Sequence, residues 1–307
     1  MTTYINVLRD KGIECRENES MAQHTTFRAG GNARLAVFPK NREELLTALQ
    51  AAKRQVPVVV LGNGSNVLFR DGGYKGAVIV TTALQSVTFF EPSADGSVTV
   101  TADCGVSLTG LARACGKRGL SGLEFAFGIP GTVGGAVFMN AGAYGGQMSD
   151  VVVQSDYYDG ETGEVRQLNA AEHAFDYRFS RYMNAPHLTI LGTRLVLRPD
   201  DPEAVTERMM INMESRKTKQ PLEFPSAGST FKRPSGRFVG QMTQECGLKG
   251  YTVGGAQLSE KHGGFVINRG GATAADLLAV MEHIEKVILA TYGVQLEREV
   301  RVLGEDG

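Results

Sequence analysis

Glycine is the residue that most constrains how this chain can fold. The sequence contains 38 glycines among 307 residues, about 12% where an average protein has about 7%. They are gathered in short blocks and do not recur at a fixed period, so a repeat architecture is not indicated. Glycine loses more conformational freedom on folding than any other residue, so ordering such blocks requires a compensating interaction. We therefore expect backbone packed closely around something bulky.

The rest of the composition excludes several classes of protein. A formal net charge of −1 does not favour a nucleic-acid partner or a polybasic membrane surface. No apolar run approaches the roughly 18 residues that a membrane span needs, and the first residues do not form a secretion signal. Four cysteines and five histidines show no metal-site or disulfide spacing, and no Gly-x-Ser-x-Gly elbow is present. We expect a cytoplasmic protein with no metal and no membrane insertion.

Four helices are predicted from capping residues and apolar periodicity. Asn41, followed by Glu44, forms a capping box for a helix that ends near Gln55. The others are a helix capped by Ser107 that runs through Cys115, a helix that starts at Asp201-Pro202 and runs through Met213, and a helix from the Thr273 cap to the Gly293 stop.

Short β-branched or alternating runs predict the strands, at residues 56–61, 77–81, 97–102, 151–157, 189–198 and 296–303. The first of these is expected to be buried. Because helices interrupt the strands irregularly, the fold class is expected to be α+β and not a doubly wound sheet. The best domain boundary lies just before the helix that starts at Asp201-Pro202.

The first glycine block, Gly62-Asn63-Gly64-Ser65-Asn66-Val67, directly follows a predicted strand. It is a poor dinucleotide fingerprint, because Val67 occupies the position of the third glycine and no acidic residue follows at the ribose-binding distance. Consecutive backbone N–H groups can instead form a nest that binds a phosphate. A hairpin turn is the structural alternative.

The second glycine block holds seven glycines within residues 128–146. A flexible linker is the structural alternative, but apolar residues such as Ile129, Val133 and Phe138 make the block too apolar for a solvated tether. A large planar cofactor would compensate the cost of ordering it.

Five segments of the chain form a combined signature. They are residues 62–66, residues 128–145, the tetrad Tyr177-Arg178-Phe179-Ser180, residues 226–234 and residues 296–301. Together they resemble the UDP-N-acetylenolpyruvoylglucosamine reductases, flavoenzymes of bacterial peptidoglycan precursor synthesis. The resemblance implies a two-subdomain FAD-binding fold of the vanillyl-alcohol-oxidase/p-cresol-methylhydroxylase type at residues 1–200, divided near residue 83. It also implies an α+β substrate domain at residues 201–307.

The implied reaction reduces UDP-N-acetylglucosamine enolpyruvate to UDP-N-acetylmuramate, with NADPH as reductant and non-covalently bound FAD. The double bond of the substrate is conjugated to a carboxylate, which takes up the charge as hydride adds at C3, and a proton then reaches C2. The site must therefore stabilise an enolate and deliver a proton.

Three residues match the catalytic positions of the family. Ser229 is the expected proton donor, and a turn serine is the structural alternative. Arg178 is expected to oppose the charge of the enolate, and an ordinary ion pair near Asp176 is its alternative. Glu299 must be protonated, be held by Arg178 or act through a water, and Glu297 is a rival for its position.

The same resemblance assigns the binding residues. FAD is expected to contact Gly62, Asn63, Gly64, Ser65, Asn66, Ile129, Pro130, Gly131, Thr132, Gly134, Gly135, Asn140 and Gly142. The UDP-sugar substrate is expected to contact Arg216, Lys219, Arg233 and His262. Taken alone, the basic residues at a helix C-terminus also suit the helix dipole, and an isolated histidine is more often structural than catalytic. Arg233 stands where some members carry asparagine.

The chain between Arg178 and Asp201 is too short for the extra tyrosine loop that some members carry, so the shorter subtype is indicated. We expect a monomer or a weak oligomer. One alternative is another FAD oxidoreductase of the same fold, acting on an alcohol or a hydroxy acid. Such enzymes often attach flavin through histidine, which the glycine blocks lack. A non-catalytic protein that binds flavin or a sugar nucleotide is the other alternative.

Overall fold

The computed structural model describes residues 1–52 and 56–306. Its helices are α1 (Thr2–Asp10), α2 (Arg42–Ala52), α3 (Leu108–Gly116), α4 (Val133–Met139), α5 (Pro202–Lys219), α6 (Val239–Glu245) and α7 (Ala274–Tyr292). Short 3₁₀ turns lie at Met21–Gln23, Glu124–Ala126, Met148–Asp150, Ala171–His173 and Arg181–Asn184. No helix of these described residues is both long enough and apolar enough to cross a membrane.

The strands are β1 (Glu14–Ser20), β2 (Asn32–Phe38), β3 (Val58–Leu61), β4 (Val67–Phe69), β5 (Tyr74–Val80), β6 (Val87–Phe89), β7 (Val98–Asp103), β8 (Leu120–Ser121), β9 (Gly142–Ala143), β10 (Gly146–Gln147), β11 (Val152–Asp159), β12 (Glu164–Asn169), β13 (Leu188–Pro199), β14 (Thr252–Val253), β15 (Ala256–Leu258), β16 (Val266–Asn268) and β17 (Arg301–Leu303). The largest sheet has the order β12-β11-β13-β7-β6, with β8 beside β13, and a second sheet has the order β1-β2-β5-β3. Strands and helices do not alternate regularly, which confirms the predicted α+β class.

The chain divides into two compact units whose segments interleave along the sequence. Unit 1 contains residues 1–16, 36–63 and 77–215, and unit 2 contains residues 17–35, 64–76 and 216–307. The domain limits expected from the sequence, 1–200 with a division near 83 and 201–307, stay predictions.

In unit 1, α4 packs against β13 and β7 of the largest sheet. Val133 and Val137 on α4 are fully buried, as are Leu191 and Leu195 on β13. Sequence reasoning missed α4, because a helix of seven residues with two glycines shows no apolar period. Its position places the second glycine block against the sheet.

In unit 2, α7 forms the centre of the hydrophobic core and packs against the sheet β14-β15-β16. The ends of α7 lie where capping rules put them. Thr273 Oγ1 accepts a hydrogen bond from the Asp276 N–H at 3.0 Å, and the Asp276 carboxylate accepts one from the Thr273 N–H at 3.0 Å. Gly293 ends the helix in the left-handed conformation, with φ at 66°.

The predicted start of each remaining helix is confirmed. The Asn41 side chain accepts a hydrogen bond from the Glu44 N–H at 2.9 Å, and the Ser107 hydroxyl caps α3 by accepting one from the Gly110 N–H at 3.2 Å. The predicted end of α2 near Gln55 lies outside the described residues.

The predicted end of the helix at Met213 is wrong, because α5 continues to Lys219. No helix-breaking residue separates the two positions, and Pro221 follows shortly after the observed end. The basic residues of this segment therefore lie on the last turn of a long helix.

Two predicted strands need correction. β3 begins at Val58 and buries only Leu61, because it lies at the edge of its sheet. The strand predicted over residues 296–303 is limited to β17, since the preceding backbone pairs with another segment: the Glu299 N–H donates to the Thr230 carbonyl at 2.8 Å.

Candidate active site

The two glycine blocks meet within unit 1. The Asn63 side-chain amide donates to the carbonyl oxygen of Pro130 at 2.6 Å. A side chain at position 62 would overlap Thr132 Oγ1 and lie 3.1 Å from its Cγ2, so only glycine fits there without a shift. Residues expected from the sequence to share one cofactor are thus brought into direct contact.

The first loop leaves a run of backbone donors open. Among the residues that the structure describes, no protein acceptor engages the N–H groups of Gly62, Asn63, Gly64 or Ser65. Gly64 has φ at 59°, and a side chain there would overlap the His24 carbonyl oxygen. Open N–H groups beside a left-handed glycine, as at Gly64 and Ser65 of unit 2, are typical of an anion-binding nest. Such donors fit a phosphate group of FAD.

Asn66, which belongs to unit 2 like Gly64 and Ser65, has a different role from these donors. Its side-chain amide donates to the Glu299 carbonyl at 3.0 Å, and its own carbonyl accepts from the Arg301 N–H at 3.0 Å. Asn66 therefore ties the end of the first loop to the segment that carries Glu299.

The second block approaches the sheet as closely as glycine allows. A side chain at Gly134 would lie 2.7 Å from Cys104 Cβ, whereas one at Gly135 would meet only Thr132 Oγ1, at 3.5 Å. Gly134 is therefore required by packing inside unit 1, and Gly135 lies on the exposed side of α4. The open space beside Gly135 is compatible with close approach of a bound cofactor.

Arg178 lies in a tight turn that unit 1 holds firmly. The N–H and carbonyl groups of Asp176 and Phe179 bond to each other at 3.1 Å in both directions. Arg178 itself has φ at 53°, and its Nη2 donates to the Gly142 carbonyl at 2.8 Å. Its guanidinium lies 5.1 Å from the centroid of the exposed Tyr177 ring. The guanidinium is thus anchored at one nitrogen in the second glycine block.

Ser229 and Glu299 lie on adjacent antiparallel segments of unit 2. Thr230 accepts from the Glu299 N–H at 2.8 Å, and Phe231 pairs with Arg298 in an antiparallel bridge. Ser229 is exposed, Glu299 is half-buried and Thr230 between them is fully buried. A serine and a glutamate therefore lie on neighbouring segments, the residue types that a proton-delivering site requires.

Glu297, the rival of Glu299, is occupied by other contacts. Its carboxylate pairs with the Lys232 ammonium, and its side chain is 70% exposed. Arg298, between the two glutamates, forms a two-pronged ion pair with Glu285 at 2.5 and 2.8 Å. These contacts favour Glu299 as the inner carboxyl group.

The residues expected to bind substrate all belong to unit 2 but differ in environment. Arg216 is buried and Lys219 is exposed on the last turn of α5. Arg233 is exposed and stacks on Phe238, with its guanidinium 4.3 Å from the ring centroid. His262 Nδ1 accepts from the Gly264 N–H at 3.1 Å, and burial lowers the pKa of the ring. At neutral pH this histidine is an uncharged hydrogen-bonding group.

Sequence reasoning missed Thr26, whose side chain holds the Ser229 segment, and Asn268, whose side chain holds the chain next to Thr26. Thr26 Oγ1 donates to the Ser226 carbonyl at 2.6 Å, and the Thr26 N–H donates to the Gly64 carbonyl at 3.2 Å. The Asn268 side chain donates to the Phe27 carbonyl at 2.9 Å. No local pattern could reveal the two side-chain contacts, because they join residues 200 and 241 positions apart.

Comparison with known proteins shows two family matches. Residues 33–169 match the FAD binding domain family. Residues 220–303 match the UDP-N-acetylenolpyruvoylglucosamine reductase, C-terminal domain family. The predicted FAD-binding domain and the predicted second domain type are thereby confirmed, and FAD is the cofactor of this fold.

Full-length relatives agree with the family matches. UDP-N-acetylenolpyruvoylglucosamine reductase from Lactobacillus delbrueckii subsp. bulgaricus is 43% identical over 97% of this chain and 98% of its own length. The enzyme of that name from Clostridium perfringens is 43% identical over 93% of this chain and 92% of its own. The crystal structure of the reductase from Thermus caldophilus has a TM-score of 0.78 at 32% identity, covering 94% of this chain and 98% of that one. The predicted resemblance is confirmed, and the chain belongs to the UDP-N-acetylenolpyruvoylglucosamine reductases, a family of FAD-binding oxidoreductases.

Proposed function

We propose that this protein reduces UDP-N-acetylglucosamine enolpyruvate to UDP-N-acetylmuramate at the expense of NADPH, as a step of peptidoglycan precursor synthesis in the cytoplasm. The observation that carries the proposal is the 43% identity to a reductase of this name over 97% of the chain. The chemistry that FAD supplies when bound is two-electron transfer from NADPH to the C3 carbon of the enolpyruvyl group.

The chain's own residues bind the cofactor, neutralise charge and deliver the proton. The open N–H groups of Gly64 and Ser65 would hold a phosphate group of FAD. Arg178 would pair with the substrate carboxylate and oppose the negative charge that develops as hydride adds. Its fixed contact with Gly142 limits the conformations that the guanidinium can adopt, so little rotamer freedom remains to be lost on binding.

Ser229 would donate the proton to C2. A serine hydroxyl is a weak acid, so it serves only where the acceptor is strongly basic and the departing charge is stabilised. Glu299 on the adjacent segment would orient this transfer directly or through a water. Arg216, Lys219, Arg233 and His262 would bind the UDP-sugar, the cations facing its diphosphate.

The test compares Ser229→Ala with Ser226→Ala, a matched control three residues away in the same segment. Ser226 offers its backbone carbonyl, not its hydroxyl, to Thr26, so its hydroxyl is dispensable to that contact. Flavin absorbance follows reduction by NADPH and reoxidation by the enolpyruvyl substrate as separate half-reactions. We expect Ser229→Ala to slow reoxidation by about 10²–10⁴-fold and to leave reduction by NADPH unchanged, while Ser226→Ala affects neither. Equal losses in both half-reactions of Ser229→Ala would refute the assignment of the proton donor.

A further inference from the structure

The turn that carries Arg178 is unfavourable without outside support. Arg178 adopts φ at 53°, in the left-handed region that residues with a side chain rarely occupy. Its backbone conformation must therefore be imposed by contacts from elsewhere. Those contacts decide where the guanidinium points.

Three contacts hold this turn, and they come from alternate residues of the second glycine block. The buried Ser180 hydroxyl donates to the Phe138 carbonyl at 2.7 Å, and Arg178 Nη2 donates to the Gly142 carbonyl at 2.8 Å. Between them, Asn140 Nδ2 donates to the Asp176 carbonyl at 3.0 Å. The turn is thus attached to the block at positions 138, 140 and 142.

Asn140 is the only one of these three block positions that contributes a side chain. The residue is 1% exposed. Its Oδ1 accepts from the Ser149 N–H at 2.9 Å, and its Nδ2 also reaches Gln147 Oε1 at 3.4 Å. Both ends of the amide are therefore used inside unit 1, so any contact with FAD would have to come from the backbone of Asn140. Its own φ of 43° is left-handed, which asparagine tolerates better than most residues.

We propose that Asn140 is a positioning residue for Arg178: its amide fixes the carbonyl of Asp176 and thereby aims the Arg178 guanidinium at the substrate carboxylate. This inference rests on the proposed function. It explains why the buried amide of Asn140 lies between the second glycine block and the turn that carries Arg178. Loss of the amide should move Arg178 without emptying the FAD site.

The test uses Asn140→Gly, because glycine accepts the left-handed backbone while the side-chain bonds to Asp176 and Ser149 are lost. Ala174→Gly is the matched control, since Ala174 is also left-handed, with φ at 48°, and lies just before the turn that carries Arg178. We expect Asn140→Gly to slow reoxidation by the enolpyruvyl substrate roughly 10- to 100-fold. Its FAD content and its reduction by NADPH should be unchanged. Ala174→Gly should match the wild type in all three measurements. Asn140→Asp has the same shape and keeps the acceptor for Ser149, and it lacks the donor for Asp176 only while its carboxyl group is ionised. It should therefore show the same loss at high pH, and protonation of the carboxyl group at lower pH should reduce that loss.

The double variant Arg178→Ala/Asn140→Gly separates positioning from a structural role. If Asn140 acts through Arg178, the double variant should be no slower in reoxidation than Arg178→Ala alone. Additive losses, or equal losses in both half-reactions together with lost FAD, would overturn the inference. A wild-type protein that is not reoxidised by the substrate, or an Arg178→Ala variant as fast as wild type, would instead refute the proposed function or the role of Arg178.

Discussion

The contact between the two glycine blocks predicts how Gly62→Ala will behave. The backbone at Gly62 is not left-handed, so the cost of the added methyl group is steric. It would overlap Thr132 Oγ1 and lie 3.1 and 3.2 Å from the Thr132 Cγ2 and Cβ atoms. Overpacking of this kind destabilises by about 1–3 kcal/mol. Thr132→Ala alone should cost about 0.5–2 kcal/mol, because Thr132 Oγ1 caps α4 through the Gly135 N–H.

The double variant Gly62→Ala/Thr132→Ala distinguishes the clash from two independent losses. Removing Oγ1 and Cγ2 of Thr132 relieves most of the overlap. The double variant should therefore lose about 1–2 kcal/mol less stability than the sum of the losses of the two single variants. The assay is urea unfolding followed by circular dichroism at one fixed FAD concentration, since bound FAD itself adds stability. Strict additivity would show that the blocks do not meet as described.

Two further predictions concern stability. Thr273→Ala should lower the free energy of unfolding by about 1 kcal/mol through loss of the α7 capping box, whereas Thr273→Ser should retain it; equal losses in urea unfolding would contradict this. Burial lowers the pKa of His173 from its ordinary 6.5, so the unfolded chain binds more protons than the folded one below that pH. The melting temperature should therefore fall as the pH drops below about 6.5. His173→Gln, which keeps a hydrogen-bonding partner for Ser155, should flatten this dependence, and an unchanged slope would show that other groups cause it.

Local sequence rules predicted correctly those helix ends that depend on residues a few positions apart. The Thr273 and Asn41 caps and the Gly293 stop lie where the sequence indicates them, because each involves contacts within one helical turn. The strand predicted over residues 296–303 is confirmed only at residues 301–303, for the opposite reason. Its alternation is genuine, with Leu296 and Val300 buried, but distant residues decide which backbone groups it pairs with.

The residues of the candidate site could be predicted from the sequence, but their arrangement in space could not. The resemblance supplied Arg178, Ser229 and Glu299 as residues, and the glycine blocks supplied the cofactor loops. The structure adds what no local pattern contains: the contact of Asn63 with Pro130, the attachment of the Arg178 turn through Asn140, and the support that Thr26 gives to Ser226. Each joins residues far apart in sequence, so each depends on the completed fold.

The most direct test of the account is an anaerobic titration of the purified wild-type protein. We predict a yellow protein whose flavin absorbance is bleached by one equivalent of NADPH and restored by one equivalent of UDP-N-acetylglucosamine enolpyruvate, with UDP-N-acetylmuramate as product. A protein that stays colourless when saturated with FAD, or a reduced flavin that the enolpyruvyl substrate leaves bleached, would contradict it.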